Sequence, residues 1–389
     1  MYRSYKYRIF PTEPQKELIA KHIGSSRFVY NLALETKNAA YIGAKHNYSA
    51  FDLVKQLPEL KKELPWLKEV NSQSLQQAIQ NMDIAFKKFF KGAGFPKFKK
   101  KSNRGSFNVP QNVIVGNYLL IIPKFKDGIK MSLHRPTNGT IKSATISVTP
   151  TGKYFVSILC DTKEEIPTKA PITESTTIGI DLGIKDFAIT SEGEVFENPK
   201  YLRKAQSKLK YIQRKYSKYK GKRTKKKLAK LHEDVVNKRK DFLHKVSTKL
   251  IRENQTICLE TLAVKNMVKN HNLAQAISDV SWSTFVSMLE YKAEWYGKNI
   301  LRIGQFAPSS KTCSCGVINK DLKLSDREWT CKSCGTTHDR DILAACNIKS
   351  FALKNILSGE HRLKNQGKLP TLFGALTLEA QPIGYAVGG

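Results

Sequence analysis

The sequence predicts a multidomain α+β protein, and three features of its 389 residues carry that prediction. A helical pattern follows one N-terminal strand, a run of short strands covers residues 106–160, and strands alternate with long helices from residue 176. The length fits two or three domains. Because 40% of the residues are hydrophobic, packed cores are available and wholesale disorder is excluded.

The charge balance points to a polyanionic partner. The chain has 66 Lys and Arg residues against 33 Asp and Glu, a formal net charge of +33. Nucleic acid is the favoured partner because its affinity rests on cations set against phosphates, and an anionic membrane surface is the weaker alternative. The apolar runs are too short to span a bilayer, and the N-terminus lacks an apolar signal core. We therefore expect a cytoplasmic protein.

The first 165 residues predict a strand, a helical stretch and several more strands. Residues 1–10 alternate in polarity, and Thr12 to Gln15 fit a capping box that begins a helical pattern running to about residue 91. A basic loop at 95–105 contains Phe95 and Phe98, which either stack on bases or anchor the loop. The strands that follow suggest a small barrel or a sandwich.

The region after residue 176 predicts a strand meander followed by helices and further strands. The first strand ends at Asp181, and a basic helical region from about 198 to 253 is broken at Gly221. Strands at 256–260 and 300–303 flank a helix at 283–298, for which Ser281 or Ser283 is the expected cap. A last helix is expected from about 341 to 357.

Three acids lie where these elements end or begin. Asp181 closes the first strand, Glu260 closes a middle strand, and Asp341 opens the last helix. This order is that of an RNase-H-like nuclease fold, in which such acids converge on two divalent ions about 3.5–4 Å apart, with Mg²⁺ suited to the oxygen ligands. Taken singly, Asp341 also fits a helix cap and Glu260 a solvated strand end. The joint pattern favours phosphodiester hydrolysis.

Four of the seven cysteines predict a metal site near the C-terminus. They form two pairs with the spacing of a Cys₄ zinc ribbon: Cys313, Cys315, Cys331 and Cys334. The first pair is C-x-C, one residue short of the usual C-x-x-C. His338 lies beside the cluster, where a structural role is favoured over that of a replacement ligand. The other three cysteines read as small buried hydrophobes.

Basic residues interleaved with aromatics predict a surface that tracks phosphates. Residues 200–245 contain nineteen Lys or Arg and three acids, together with four tyrosines. A solvated helical face is the alternative, but the sign excess favours nucleic acid. The candidate contacts lie in this region and in the 95–105 loop: Lys222, Arg223, Lys225, Lys226, Lys97, Lys99, Lys100 and Lys101.

An ordered set of motifs resembles the TnpB family over roughly residues 1–357. The C-terminal motifs are GIDLGIKDFA (179–188), ICLETLAVKNM (257–267), SSKTCSCG (309–316), WTCKSCG (329–335) and HDRDILAACNI (338–348). The N-terminal YKYRIFPT (5–12), SSRFVYNLALE (25–35) and FFKGAGFPKFK (89–99) match as well. Members are insertion-sequence-encoded, RNA-guided DNA endonucleases related to type V CRISPR effectors.

The resemblance implies an architecture. An N-terminal β-barrel, the wedge, is interrupted by a helical recognition lobe, and a RuvC-type nuclease domain follows with an inserted zinc ribbon that binds target nucleic acid. The implied boundaries are 1–10 and 93–165 for the wedge, 11–92 for the recognition lobe, 176–305 for the nuclease domain, 306–338 for the ribbon, 339–357 for the last nuclease helix and 358–389 for a flexible tail.

The resemblance also implies an activity. A single RuvC site, with Asp181, Glu260 and Asp341 holding two Mg²⁺ ions and a structural Zn²⁺ nearby, would cut double-stranded DNA beside a short flanking motif. The guide RNA would derive from the transposon end, and the protein would be a monomer in the prokaryotic cytoplasm, at the nucleoid. Arg340 would meet the scissile phosphate. Amides that can read adenine edges in the flanking motif are Gln73, Gln76 and Gln77.

The sequence departs from the family pattern at two places. Leu343 stands where the family usually has Asn, two residues after the last aspartate, and the first cysteine pair is C-x-C. Because the three acids are intact, we expect an active nuclease. The alternatives are a DNA-binding repressor without nuclease activity, guided by RNA or binding directly, and a transposase that catalyses strand transfer.

Overall fold

The computed structural model describes residues 1–102, 104–323 and 325–357, so the predicted tail at 358–389 lies outside the described residues. The chain divides into two compact units, Met1–Glu165 and a second that begins at Ile166. Within the described ranges, no helix combines the length and apolar character needed to cross a bilayer.

The first unit contains one strand, four helices and six further strands, in the order predicted. The elements are β1 (Tyr2–Phe10), α1 (Glu13–Ala44), α2 (Ala50–Lys55), α3 (Leu57–Glu63), α4 (Ser72–Phe89), β2 (Gly105–Val109), β3 (Ile114–Gly116), β4 (Leu119–Ile122), β5 (Phe125–Met131), β6 (Thr140–Val148) and β7 (Tyr154–Asp161).

The seven strands of this unit form one antiparallel sheet in the order β2-β6-β7-β1-β5-β4-β3. The two edge strands β2 and β3 do not pair with each other in the described residues, so hydrogen bonds do not close the predicted barrel. Both edge strands are short, which leaves few groups available for closure. Val109 of β2 and Leu120 of β4 nevertheless belong to one hydrophobic core.

The helices of the first unit form a second core. Leu34 of α1, Leu53 of α2 and Leu75 of α4 are buried together. One of the two hydrogen bonds of the predicted capping box of α1 is confirmed, because the Thr12 amide donates to Gln15 Oε1 at 3.0 Å. A single helical turn at Pro65–Lys68 leads into the segment before α4.

The second unit alternates strands and helices. Its elements are β8 (Thr177–Asp181), β9 (Asp186–Thr190), β10 (Val195–Glu197), α5 (Tyr201–Tyr219), α6 (Lys222–Glu253), β11 (Thr256–Glu260), α7 (Val264–Met267), α8 (His271–Val280), α9 (Trp282–Trp295), β12 (Asn299–Ile303), β13 (Glu328–Thr330), β14 (Thr337–Asp339) and α10 (Arg340–Leu357).

Five of these strands form a mixed sheet in the order β10-β9-β8-β11-β12. The meander β8-β9-β10 is antiparallel, whereas β11 runs parallel to β8 and β12. Alternate side chains point to opposite faces of each strand. Ile178 and Ile257 pack against α6 and α9, while Cys258 packs beneath α10.

Gly179 lets α10 cross the sheet at very short range. A Cβ atom built at this position would lie 2.0 Å from the carbonyl oxygen of Ala345 and 2.9 Å from the amide nitrogen of Lys349, both backbone atoms of α10. A side chain therefore cannot be accommodated without moving the helix. This close approach sets where the first turn of α10, and with it Asp341, meets the strand ends.

For the helices, one expectation is wrong, one helix was not predicted and one break is confirmed. Ser281 precedes α9 with a φ of 57°, and its hydroxyl donates to the Ser278 carbonyl instead of capping the helix. Ser283 lies inside α9, so neither serine is the expected cap. Helix α8 was not predicted. The break at Gly221 is confirmed, because α5 ends at Tyr219 and α6 begins at Lys222.

Replacing Gly179 with Ala should destabilise the second unit by about 3 kcal/mol, because overpacking against an immovable backbone costs about this much. Urea unfolding of the full chain would measure the change. Gly304→Ala is the matched control, since a Cβ there meets nothing within 4 Å; it should change stability by less than about 0.5 kcal/mol. Equal effects from the two substitutions would contradict the close approach.

Candidate active site

The strand register brings two of the predicted acids together. Ile180 of β8 is paired with Leu259 of β11, and the next residues are Asp181 and Glu260, so both carboxyl groups stand at the same end of adjacent parallel strands. Alternation along the strands points both toward the face that α10 covers. Asp341 lies in the first turn of α10 at that end.

The charges of Glu260 and Asp341 act on the Asp181 carboxyl group, which indicates that the three acids lie close together. Burial, followed by the charges of Glu260 and Asp341, raises the pKa of Asp181 to about 7. Asp181 and Asp341 line a cavity of about 270 Å³ together with Arg327, Arg340 and Trp282. Carboxylates that repel one another in a partly dry cavity are suited to binding cations through oxygen.

Asp341 does not cap its helix, because Asp339 does. The Asp339 Oδ1 atom accepts the amide hydrogens of Asp341 and Ile342, each at 2.9 Å. The Asp341 carboxylate instead receives two guanidinium groups. Arg327 Nη1 lies 2.8 Å from Oδ2, and Arg340 approaches Oδ1 through Nε at 3.1 Å and Nη2 at 3.0 Å. The reading of Asp341 as a mere cap is therefore wrong.

A hydrogen-bonded path joins Glu260 to α10. The Ser309 hydroxyl donates to Glu260 Oε1 in a short contact. The Asn347 side chain on α10 donates to the Ser309 carbonyl at 2.7 Å and to the Thr312 carbonyl at 2.6 Å. Since Asn347, Ser309 and Thr312 are all buried, this amide fixes the segment that orients the donor on Glu260.

Asn347→Leu should lower the unfolding free energy by about 2–4 kcal/mol, because it leaves two buried carbonyl groups without donors. It should also loosen the Ser309 hydroxyl on Glu260 and lower the cleavage rate. Differential scanning calorimetry and a cleavage assay would measure both effects. Lys354→Ala, at an exposed position of the same helix, is the control and should change neither quantity. An unchanged melting temperature in Asn347→Leu would contradict the path.

The four predicted cysteine sulfurs lie within 4.8 Å of one another. Cys313 and Cys334 are 3.5 Å apart, and Cys315 and Cys331 are 3.7 Å apart. Hydrogen bonds with Thr336 lower the pKa of the Cys334 thiol, whereas the pKa of the neighbouring Cys315 thiol is raised, so the support for a metal comes from the sulfur geometry. This geometry suits a tetrahedral metal ion.

Two further residues support the cysteine cluster. His338 Nε2 lies 3.0 Å from Cys313 Sγ, so the histidine contacts a sulfur from outside the cluster. Leu343, the departure from the family pattern, is buried against Cys313, Trp329 and Cys331. It thus packs the first turn of α10 onto the cysteine-bearing segment.

The three glutamines proposed to read bases differ in exposure. Gln73 is half-buried and donates to Gln111 Oε1 at 2.9 Å, and Gln76 is also half-buried. Gln77 is only 8% exposed, and its amide donates to Asn81 of the same helix. The structure therefore does not present Gln77 to a ligand, because α4 turns this residue toward the helical core.

The basic loop is partly anchored. Lys97, Lys100 and Lys101 are exposed, but Lys99 exchanges two hydrogen bonds with Asn31 and holds its ammonium 3.9 Å above the Tyr30 ring. The Phe95 ring packs edge-on against Phe86 and Phe89, which supports the anchoring alternative for this residue. In the second unit the cations at the start of α6 are all exposed: Lys222, Arg223, Lys225 and Lys226.

Sequence reasoning missed the roles of Arg327, Ser309, Asn347 and Asp339. Ser309 and Asn347 stand within motifs that resemble the family, but neither has a spacing that indicates its partner. Arg327 lies 14 residues before Asp341, and the antiparallel pair β13-β14 brings the two together. The one available signal for a cap at Asp339 was the residue type itself, because aspartate is favoured at the position before a helix.

Three family models match the chain. Residues 157–271 match a model described as a probable transposase, residues 282–348 match a Cas12f1-like TNB domain, and residues 1–45 match a helix-turn-helix domain. Over the last range the structure has the strand β1 and the single long helix α1.

Several curated relatives align with nearly the whole chain. One named putative RNA-guided DNA endonuclease, from Streptomyces pristinaespiralis, is 39% identical over 92% of this chain and 91% of its own. The putative RNA-guided DNA endonuclease InsQ of Escherichia coli is 30% identical over 92% of this chain and 94% of its own. A TnpB-like protein of Acanthamoeba polyphaga mimivirus is 27% identical over 90% of this chain and 73% of its own.

A solved structure shares the fold. The Cas12f1 chain of a complex with sgRNA and target DNA aligns with a TM-score of 0.56 at 12% identity, over 90% of this chain and 98% of that one. The α+β fold and the TNB domain are therefore shared with Cas12f1. Because two curated relatives are 39% and 30% identical over more than nine-tenths of both chains, and TnpB-like proteins align as well, the chain belongs to the TnpB family.

Proposed function

We propose that this protein is an RNA-guided DNA endonuclease, encoded by an insertion sequence, that cuts double-stranded DNA beside a short flanking motif. The observation that carries the proposal is the convergence of Asp181, Glu260 and Asp341 at one end of the sheet. The names of the curated relatives support it. All three acids stand on one chain, so a monomer supplies the whole acid site.

Asp181, Glu260 and Asp341 would hold two Mg²⁺ ions, which supply Lewis-acid charge and an activated water when bound. The residues fit this role, because burial and then the charges of Glu260 and Asp341 raise the pKa of Asp181, and bound cations relieve the repulsion between the carboxylates. Ser309 donates to one Glu260 oxygen and leaves the other carboxylate oxygen to act as a ligand. Arg340 stands beside Asp341, where its guanidinium can neutralise a substrate phosphate.

Mg²⁺ binding should strengthen as the pH rises through 7, because the proton on Asp181 competes with the cation. The raised pKa means that Asp181 is largely protonated at pH 6 and largely ionised at pH 8. The Mg²⁺-induced increase in melting temperature should accordingly be larger at pH 8 than at pH 6. Asp181→Asn should abolish this difference, and an increase that is equal at both pH values would contradict the coupling.

We further propose that the four cysteines hold a structural Zn²⁺. A Zn–S bond of about 2.3 Å in tetrahedral geometry places sulfurs about 3.8 Å apart, close to the Cys313–Cys334 and Cys315–Cys331 separations. Because Asp341 lies seven residues after Cys334, the metal would brace the start of the helix that carries this acid.

The nucleic-acid contacts are proposed from charge and exposure. The exposed cations of α6 suit the phosphates of a guide RNA derived from the transposon end and of its heteroduplex with the target. In the first unit Lys97, Lys100 and Lys101 offer a second basic surface. Gln73 and Gln76 remain our candidates for reading the flanking motif.

Reconstitution would test the function directly. The full chain, expressed with the flanking sequence of its insertion sequence, should copurify with RNA from the transposon end. The complex is then given a guide and a plasmid library in which the sequence beside the target is randomised. In Mg²⁺ it should cut only those plasmids that carry one short motif beside the target. Target binding without cleavage would favour a repressor, and joined transposon ends would favour a transposase.

A further inference from the structure

We propose that Arg327 releases Asp341 and binds a phosphate of the substrate DNA in its place. As a result, DNA binding and metal binding at the acid site strengthen each other. The inference rests on the proposed function and names how that site is regulated. It assigns Arg327 a place in the chemistry that neither the sequence motifs nor the relatives' names give it.

Both oxygens of Asp341 are engaged by guanidinium groups. Arg327 Nη1 donates to Oδ2 at 2.8 Å, while Arg340 donates to Oδ1 from two nitrogens at 3.0 and 3.1 Å. A carboxylate held in this way presents its charge to two arginines. To serve as a metal ligand, Asp341 has to give up at least one of them, since a cation is repelled by a guanidinium bound to the same oxygen.

Arg327 is the arginine that can leave. The Arg340 side chain is 13% exposed, and its Nη1 also donates to the Asp326 carbonyl at 3.0 Å, which fixes it in place. The Arg327 side chain is 48% exposed. In the described part of the chain its guanidinium makes one ion pair, that with Asp341. Half-exposed pairs of this kind are weak and are readily exchanged for another anion.

A substrate phosphate is the anion within reach. Arg327 lines the same cavity as Asp181 and Asp341, where the scissile group has to lie. Exposed Lys320 and Lys323 stand on the same segment, so a DNA strand drawn to this segment brings phosphates to Arg327. Guanidinium pairs with phosphate through two parallel hydrogen bonds, which is a better match than the single bond that Arg327 makes to Asp341.

The exchange couples the two ligands reciprocally. If DNA removes Arg327 from Asp341, DNA raises the affinity for metal, and metal then raises the affinity for DNA by the same factor. Couplings of this kind are commonly about 5- to 150-fold. Because one exposed ion pair has to break, we expect a coupling factor near the lower end of this range, about tenfold.

Metal binding can be measured without cleavage. The full chain with its copurified RNA is titrated with Mn²⁺ by electron paramagnetic resonance, with and without a single-stranded phosphorothioate oligonucleotide. In the wild type the oligonucleotide should tighten Mn²⁺ binding about tenfold. Arg327→Gln should bind Mn²⁺ more tightly than the wild type without DNA, and the oligonucleotide should then add little. Lys354→Gln, which removes a charge from an exposed position of α10, should behave as the wild type.

The outcomes separate this inference from the proposed function. Arg327→Gln with wild-type or weaker Mn²⁺ affinity in the absence of DNA would overturn the exchange, whether or not the protein cleaves DNA. A coupling that persists unchanged in Arg327→Gln would overturn it as well. Wild-type zinc content and Trp329 fluorescence verify that the variant is folded. Arg327→Lys keeps a cation beside Asp341, so its DNA-free affinity should stay near that of the wild type.

Discussion

Asp181→Asn should reduce DNA cleavage at least about a thousandfold while guide RNA and target still bind. The amide keeps the size of the side chain but removes a charge that, with Glu260 and Asp341, we propose to bind the catalytic cations. Losing about 4 kcal/mol of metal-dependent transition-state stabilisation corresponds to a factor of about a thousand in rate. Single-turnover cleavage and gel-shift measurements on the same complex would separate the two effects.

Asp186→Asn is the matched control for this substitution. Asp186 also lines the cavity, but its carboxylate faces Lys185 at 3.8 Å instead of the other two acids. It should retain most of the cleavage rate. If Asp181→Asn cut at the wild-type rate, or if both variants lost activity equally, the assignment of the acid site would be wrong.

Cys331→Ser should release one Zn²⁺ per chain and unfold the segment that holds it. The buried sulfur is one of the four proposed ligands, and structural zinc contributes about 10–16 kcal/mol of apparent binding energy in small zinc domains. Trp329 and His338 lie with ring centroids 5.1 Å apart across the β13-β14 pair, so loss of the metal should alter tryptophan fluorescence. Because Asp341 begins the following helix, cleavage should fall as well.

An exposed cysteine outside the cluster provides the control. Cys346 was predicted to be buried, but it is exposed on α10, where it donates to the Ser191 carbonyl, away from the four sulfurs. Cys346→Ser should keep its zinc, its fluorescence and its cleavage activity. Elemental analysis that finds no zinc in the wild type, or full zinc content in Cys331→Ser, would count against the site.

The elements of this fold were largely predictable because their signals are local. Hydrophobic periodicity placed β1, the strand-rich region after residue 106, and the long helices α5 and α6 near their observed positions, although it did not single out β2. The positions of Asp181 and Glu260 at strand ends follow from the same pattern, and parallel pairing of β8 and β11 then aligns the two acids. The spacing of the cysteine pairs likewise indicated one metal site.

The face that a residue presents was less predictable. Gln77 fits a surface amide in the sequence, yet α4 packs it inward. Ser281 has the chemistry of a helix cap, but its backbone conformation and its bond to Ser278 prevent that role. In both positions the packing of neighbouring elements overrides a correct local preference.

The sequence by itself determined the element order, the acid triad, the cysteine cluster and the basic character of the protein, since each depends on residue type and short-range spacing. The tertiary structure decided which groups act on those residues. Ser309 reaches Glu260 across 49 residues, Asn347 holds Ser309 across 38, and Arg327 reaches Asp341 across 14. Such contacts depend on the tertiary packing of these segments, because hydrogen bonds and ion pairs act over a few ångströms, whatever the separation along the chain.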